Sequence, residues 1–487
     1  MPKPRKKKKK KTPSNGGGAV QPSKVRIRTY RHGLGDCHLL RFFKPDGSPF
    51  HMLIDCGVVN RTPDPGPLMT RVAQDIARET GGVLDVVIAT HQHTDHLSGF
   101  RQAATQFNGA IKMKRLWLAW TEDPSNPLGK KIQQQLVRKL AALRAATVKL
   151  KALSPEDANF IESVLDFAGP AATDASSTQA ILDSLQKRSE TEVAYHTPGD
   201  QFALPDVPNV RVYVLGPPTD PVQLKMVTPR KSMHDAYEVS EIASDLVGLV
   251  DALDSEREEE ATELSYPFAK WYRNRESTMK RHKFFKEHYL ARSKGWRTID
   301  KDWLQAADNL ALALNNFTNN TSLALAFEFI DSGEVLLFPG DAQVGSWLTW
   351  TDLTWKVPDG TGQQREVKIT DLFPRIVFYK GSHHASYNGT LTGYEQGIGL
   401  EEMTHPDLVC FVPVDRAMSK KMGWDRTLPW PQLLERLKEK TRGRLVLTDR
   451  AEVAPTAATL DPTLSSEERD RFNNQVFVSD DHVDYVL

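Results

Sequence analysis

Three cysteines in 487 residues, Cys37, Cys56 and Cys410, are too few and too scattered for a disulfide framework or a cysteine-rich zinc site. Such sparse thiol usage fits a reducing compartment, so a cytoplasmic location is expected. Long apolar runs are missing too. The best of them, such as residues 83–90, is only strand-sized, and no window approaches the 18 or so apolar residues of a membrane span. No apolar stretch follows the basic N-terminus, which argues against a secretory leader. Internal repeats at solenoid periods are absent. What remains is an ordinary globular composition, 39% hydrophobic and 26% charged. The length allows one large domain with insertions, or two to three smaller ones.

Net charge is also nearly absent, at +1, but it is unevenly spread. Lys3, Arg5, Lys6, Lys7, Lys8, Lys9, Lys10 and Lys11 place eight positive charges in the first 11 residues, with no acid among them. The other 55 basic and 62 acidic residues leave the body at −7. Pro2, Pro4, Pro13 and three consecutive glycines from Gly16 surround the run, so residues 1–24 are expected to be a disordered polybasic tail. A tail of this kind grips phosphate polyanions with steep salt dependence, and Lys6 to Lys11 are its candidate nucleic-acid contacts. The same run equally suits a solubilising or targeting tail.

Folded structure is expected from residue 25. Residues 25–30, 37–43 and 50–55 read as short strands, 68–79 as a helix ended by Gly81 and Gly82, and 84–90 as a buried strand. A helix should start near Leu97, and 114–119 reads as another strand. This alternation predicts a layered α/β domain. Residues 121–314 then change character. A basic amphipathic helix is expected over 128–153 and charged helices over 239–253 and 268–314, with strand-like pieces in 193–217. Much of this span reads as a mainly helical insertion, because strand patterns resume at 323–330 and 335–338. Strands at 376–379, 408–412 and 444–448 follow, with a helix at 432–440. Beyond residue 455, a helix-like stretch at 465–472 and an edge strand at 476–478 are expected.

Directly after the 84–90 strand comes His91-Gln92-His93-Thr94-Asp95-His96, four metal-competent side chains within six residues. Imidazole and carboxylate suit zinc and neighbouring divalent ions. His91 and His93, two apart in an extended segment, project together, while Asp95 and His96 sit at the turn into the next helix. Two later apolar strands end the same way, the first on Gly340-Asp341 and the second on Lys380-Gly381-Ser382-His383-His384. A carboxylate at Asp341 could bridge two ions about 3.5–4 Å apart, the usual two-metal spacing.

The order His-x-His-x-Asp-His, Gly340-Asp341, His383-His384 resembles the metallo-β-lactamase fold superfamily of metal-dependent hydrolases. The flanks Gly33-Leu34-Gly35-Asp36-Cys37, Met52-Leu53-Ile54-Asp55-Cys56-Gly57, Asn319-Asn320-Thr321-Ser322-Leu323 and Lys380 to Ser386 resemble the branch containing the hydrolase domain of ComEC-type competence proteins. The resemblance covers about residues 25–120, 193–220 and 315–450. It implies an αββα sandwich over 25–487, interrupted by the insertion, with a di-metal site along one edge. By residue match His91 and His93 would hold one ion and Asp95 and His96 the other. Asp341 would bridge, and His383 or His384 would complete the second site. Asp55 would orient ligands from behind, and Asp36 would border the site. Zinc is the expected metal, with manganese the alternative. The superfamily often has a third histidine on the first ion, for which this chain offers His196, His234, His282 and His288, each reading as a surface histidine. Another departure is Ala385, where the branch usually carries glycine.

A metal-activated water would be the nucleophile, with Asp95 orienting it and Lys380, the spare histidine of the pair or Tyr387 as acids for the leaving group. Three functions follow. The first is a phosphodiesterase, a nuclease or nucleotide hydrolase, drawing on the basic tail and on the basic stretches 130–151 and 270–294, with nucleic acid or nucleotide as partner. The second is a hydrolase of a small ester, thioester or lactam, with the insertion as a lid. The third is a metal-bearing subunit active only with a partner protein docked through residues 121–314. Trp424, Asp425, Arg426 and Trp430 are placed by the resemblance near the active-site edge.

Overall fold

The computed structural model describes residues 24–151, 155–171, 174, 176–226, 276–289, 302–358, 363–393, 397–449 and 460–487. The polybasic run, the 239–253 helix expectation and His234 lie outside them.

Alternating apolar positions build two mixed sheets. The strands in chain order are β1 (Val25–Tyr30), β2 (His38–Phe43), β3 (Pro49–Ile54), β4 (Val83–Leu84), β5 (Val86–Ile88), β6 (Lys112–Met113), β7 (Arg115–Ala119), β8 (Glu192–His196), β9 (Gln201–Leu204) and β10 (Val207–Val214). They continue with β11 (Leu325–Phe329), β12 (Val335–Phe338), β13 (Thr354–Pro358), β14 (Gln364–Lys368), β15 (Ile376–Lys380), β16 (Val409–Val412), β17 (Leu445–Leu447), β18 (Val476–Val478) and β19 (His482–Val486). The first sheet runs β18-β19-β1-β2-β3-β5-β7-β8 and the second β17-β16-β15-β12-β11-β10-β9, while β4 with β6 and β13 with β14 form two small two-stranded sheets beside them. In the first, β3, β5, β7 and β8 are parallel, and in the second β12, β15, β16 and β17 are.

The sheets face each other through one buried core. Ile27, Leu40, Phe42 and Ile88 from the first sheet meet Val212, Phe327, Phe338 and Phe378 from the second. The outer face of the first sheet is covered by α1 (Pro65–Thr80), α2 (Thr94–Gln102) and α5 (Thr178–Gln186), where Leu39, Leu53 and Leu116 meet Met69, Leu97 and Leu182. The outer face of the second packs against Trp347, Trp350, Leu433 and Leu437. The mixed α/β class expected from the alternation is therefore present, in four layers.

Several expectations need correction. α2 begins at Thr94 rather than near Leu97, because the extended His93 (φ −104°, ψ 154°) precedes its first turn and puts Asp95 and His96 inside that turn. Strands β8 to β10, within the span read as insertion, are full members of the two sheets. The single helical run expected over 268–314 is broken. Its described residues form short helices at Glu276–Met279 and Lys283–His288, then a long one at Asp302–Asn320 that continues past residue 314. The strand β19 escaped the sequence reading because only Val483 and Tyr485 are apolar on its core face, while Asp484 is neutralised by Arg28.

Three helices from the interrupting span, α3 (Pro127–Lys151), α4 (Pro155–Ala168) and Asp302–Asn320, pack on one another through Leu143, Ile161, Val164, Leu165, Ala311 and Leu314. They form a cap with its own apolar core. Polar contacts tie it to the sandwich: the Thr94 hydroxyl donates to the Asp166 carbonyl (2.7 Å), Arg61 pairs with Asp166, and the Trp424 indole donates to Ser163 Oγ (3.2 Å).

Candidate metal centre

Parallel strands end in loops at one edge of the sandwich, the place where α/β sheets collect functional groups. Asp55 follows β3, His91 to His96 follow β5, Asp341 follows β12, and His383 and His384 follow β15. The loops approach so closely that glycine is required at Gly57, where an added Cβ would lie 2.5 Å from the backbone of Asp95 and His96.

Asp95, His96, Asp341 and His384 converge, all buried, with one ligand atom from each within 4.8 Å of the others. His96 Nε2 lies 3.1 Å from Asp341 Oδ2, and His384 Nε2 lies 3.0 Å from Asp95 Oδ2 and 3.6 Å from Asp341 Oδ2. Both imidazoles are oriented from behind, as metal-binding histidines usually are. His96 Nδ1 meets Asp55 Oδ2 at 2.7 Å, and His384 Nδ1 meets the Pro413 carbonyl at 2.8 Å, leaving each Nε2 to face the cluster. Asp55 is itself fixed by the Thr90 amide and hydroxyl, at 2.8 and 2.7 Å. His91 Nε2 and His93 Nδ1 lie 3.0 Å apart, with Ser322 Oγ 3.2 Å from His91 Nδ1.

The donor set fits divalent ions. Asp95 Oδ1 and His93 Nε2 are buried without a hydrogen-bond partner, and such atoms are costly to leave unpaired. Asp36, Asp55 and His96 form a second convergent group. Nitrogen and oxygen donors without thiolate suit zinc or manganese. Burial opposes charge on His96 and His384, but Asp341 foremost among the surrounding carboxylates raises both pKa values, that of His96 far above its ordinary range. Protons on these imidazoles thus take the place of cations between the carboxylates. Burial would raise the Asp341 carboxyl, yet Lys380 and then His96 hold it well below its usual range.

Of the pair left open by the sequence, His384 joins the cluster. His383 turns instead toward Asn319 Nδ2 (3.1 Å) and Gln343 Nε2 (3.3 Å), and burial lowers its pKa to about 4, so it is neutral. Two amide donors cannot both serve one neutral imidazole. Asn319 Oδ1 and Gln343 Oε1 both lack a partner, so one of the two amides turns its oxygen to accept from the single ring N–H. The backbone here is unusual, with His383, His384 and Ala385 at φ 47°, 49° and 59°. Ala385 therefore occupies the left-handed region that glycine would take without penalty.

Lys380, considered from the sequence as an acid, is occupied. Its ammonium bonds Asp36 Oδ2 (2.6 Å), Asp341 Oδ1 (3.0 Å) and the Gly340 carbonyl (2.9 Å), and the two carboxylates outweigh burial and raise its pKa. All three N–H bonds are used, so it serves as a counter-ion under the cluster. Tyr387 packs near Trp430, with ring centroids 6.3 Å apart. Of the third-histidine candidates, His196 stands in β8 between Trp117 and Phe202, and His282 and His288 are exposed. Trp424 packs at a tilt of 36° against Phe167 of the cap (4.9 Å), which in turn lies 6.0 Å from His93, while Asp425 and Arg426 are exposed.

Sequence reasoning gave no role to Thr90, Asn319, Ser322 or Gln92. Gln92 points into a buried polar cluster, donating to Glu122 and facing Gln133 Oε1 (3.1 Å) and Gln179 Oε1 (3.3 Å). Burial pushes the Glu122 carboxyl up to about 7 against these amide donors. The folded state then keeps a proton that the unfolded chain releases near pH 4.5, so stability falls as pH rises from 4.5 to 7. Glu122→Gln is expected to unfold at the same urea concentration as wild type at pH 4.5. At pH 8 it should be more stable by about 3 kcal/mol, from roughly 1.4 kcal/mol per pKa unit.

No protein-family model matches the chain, and no curated protein is significantly similar to it. Among the described residues no helix is long and apolar enough to cross a membrane.

Proposed function

We propose that the chain is a metal-dependent hydrolase of the metallo-β-lactamase superfamily, similar to the hydrolase domain of ComEC-type competence proteins. The observation that carries this reading is the convergence of Asp95, His96, Asp341 and His384 from three separate loops into one buried, N/O-donor cluster. His91 and His93 add a neighbouring pair of imidazoles. When bound, divalent ions supply hydroxide near neutral pH and offset charge that develops on the substrate. The chain's own residues do the rest. Asp95, with one oxygen on His384 and the other unpaired, would hold the attacking water. Asp55 fixes His96 and Lys380 fixes Asp341, while the neutral His383 stands beside the cluster with its ring nitrogens held by Asn319 and Gln343.

The basic tail favours a phosphodiester substrate. A specific observation favours the second reading, a small ester, thioester or lactam. The void beside His93 holds only about 10 Å³ and is lined by Leu140, Leu143, Leu165 and Leu314 of the cap, the apolar cover that a lid over a small substrate would need. The test is metal-reconstituted protein offered single- and double-stranded DNA, RNA, bis(p-nitrophenyl) phosphate and p-nitrophenyl butyrate, with Asp341→Asn as control. Turnover lost in the variant upholds the hydrolase reading, and its substrate assigns the class. Equal rates in both proteins on every substrate would sink it.

A further inference from the structure

A cleft of about 550 Å³ lies beside Gln92, and none of its lining residues belongs to the cluster of Asp95, His96, Asp341 and His384. Three elements wall it. Helix α3 presents Lys130, Gln134 and Arg138 at helical spacing, α5 presents Gln179, Asp183 and Gln186, and the turn after β7 supplies Glu122 and Asp123. A volume of this size suits a small ligand. The charges of the lining are segregated, with both cations on α3 and every carboxylate on the other two elements. Among the described residues no ion pair joins the two sets, and Asp183 pairs instead with the exposed Lys187 (3.2 Å), a contact of small worth. Burial pushes the Glu122 carboxyl up to about 7, so Asp123 and Asp183 carry most of the negative pole. Opposite charges that face one cleft without touching suit a ligand that carries both signs.

The neutral groups narrow the class. Four glutamines line the cleft, and a primary amide offers a donor and an acceptor, the same pair that a peptide group presents. A nucleobase is held by stacking on aromatic rings, and the lining contains none. A bare phosphate would meet the carboxylates as well as the cations. From Lys130 to Arg138 the helix advances about 12 Å, the length of three to four extended residues at about 3.4 Å each. We infer that this cleft binds a short zwitterionic peptide, its carboxylate toward Lys130 and Arg138 of α3 and its ammonium toward Asp123 and Asp183. Binding there needs no metal, so this site and the hydrolase reading are tested separately.

The test is isothermal titration calorimetry of the full-length protein with tetra-alanine, N-acetyl-tetra-alanine, tetra-alanine amide, AMP and inorganic phosphate. Tetra-alanine should bind, and blocking either end should weaken it at least about tenfold, the loss of one charge-assisted contact. Asp183→Asn should shrink the penalty for acetylation and Arg138→Gln the penalty for amidation, each leaving the other penalty in place. Arg138 is exposed and Asp183 half-buried, so both variants should melt with wild type. Tetra-alanine that gives no binding heat at millimolar concentration, equal affinity for it and its blocked forms, or penalties unchanged in both variants overturns the inference. Phosphate or AMP bound more tightly than tetra-alanine, and weakened by Arg138→Gln, overturns it in favour of an anion site.

Discussion

Asp341→Asn should lower bound divalent metal at least about tenfold and any metal-dependent turnover by about 10³-fold, the range in which removal of a group that stabilises transition-state charge falls. The Asp341 side chain touches several parts of the cluster at once. Its Oδ2 faces His96 and His384, its Oδ1 holds Lys380, and its backbone amide donates to Ser322 Oγ at 3.0 Å. Ser322 in turn reaches His91, so the residue spans both imidazole pairs. Asparagine keeps the shape and removes the charge. The measurement is metal content after gel filtration, read with the rate on whichever substrate wild type cleaves. Metal content and rate both equal to wild type would remove Asp341 from the centre.

Lys380→Met should cost the metal-free protein about 3–5 kcal/mol in urea denaturation, the usual penalty for leaving a buried charge without its partner. Two carboxylates lose their cation at once, since Asp36 and Asp341 share the same ammonium. Burial alone would raise both carboxyls, but Lys380 is the largest influence holding each below its usual value. A depressed carboxyl contributes stability above its unfolded pKa, near 3.8, and that stability is lost as pH falls further. Wild type should therefore weaken on acidification below about pH 3.8. The variant has less to lose, because its two carboxyls take up protons at higher pH, and the gap between the proteins should narrow. Added divalent metal should recover part of the deficit at neutral pH. A variant as stable as wild type at pH 7 would show that Lys380 is not the counter-ion of the cluster.

The loop His91 to His96 was legible because its residue types are rare together and chemistry explains them. Asp341 was legible only beside it, since an aspartate after a strand is commonly a turn residue. The choice between His383 and His384 was not, because it depends on backbone angles that two adjacent histidines share. What separates them is the Pro413 carbonyl, 29 positions away, which captures one ring and fixes its tautomer. The role of Lys380 was hidden for the same reason: its partners Asp36 and Asp341 come from distant strands. Strands with period-two apolar patterns, such as β1, β12 and β15, could be read from local sequence. β19 could not, because its place depends on an ion pair with Arg28. The cap was visible as charged, helical sequence, but its apolar core over the centre exists only once α3, α4 and Asp302–Asn320 are brought together.

The pairing of β1 with β19 bears on how the molecule is made. Arg28 and Asp484 meet across 456 positions of sequence, in adjacent strands of the first sheet. During synthesis β1 emerges before β19 and waits, one edge satisfied by β2 and the other bare, until the intervening chain has been made and its neighbour follows. At ribosomal rates of 5–20 residues per second that wait is roughly 25–90 s. A bare strand edge is a template for pairing with other chains, so nascent copies are most exposed to misassociation during this interval, and pairing across so long a separation is slow even in the released chain. The charges along the waiting strand, Arg26 and Arg28, are the kind of residue that discourages such mispairing. The same two arginines later join Asp484 and Glu79 in the folded protein.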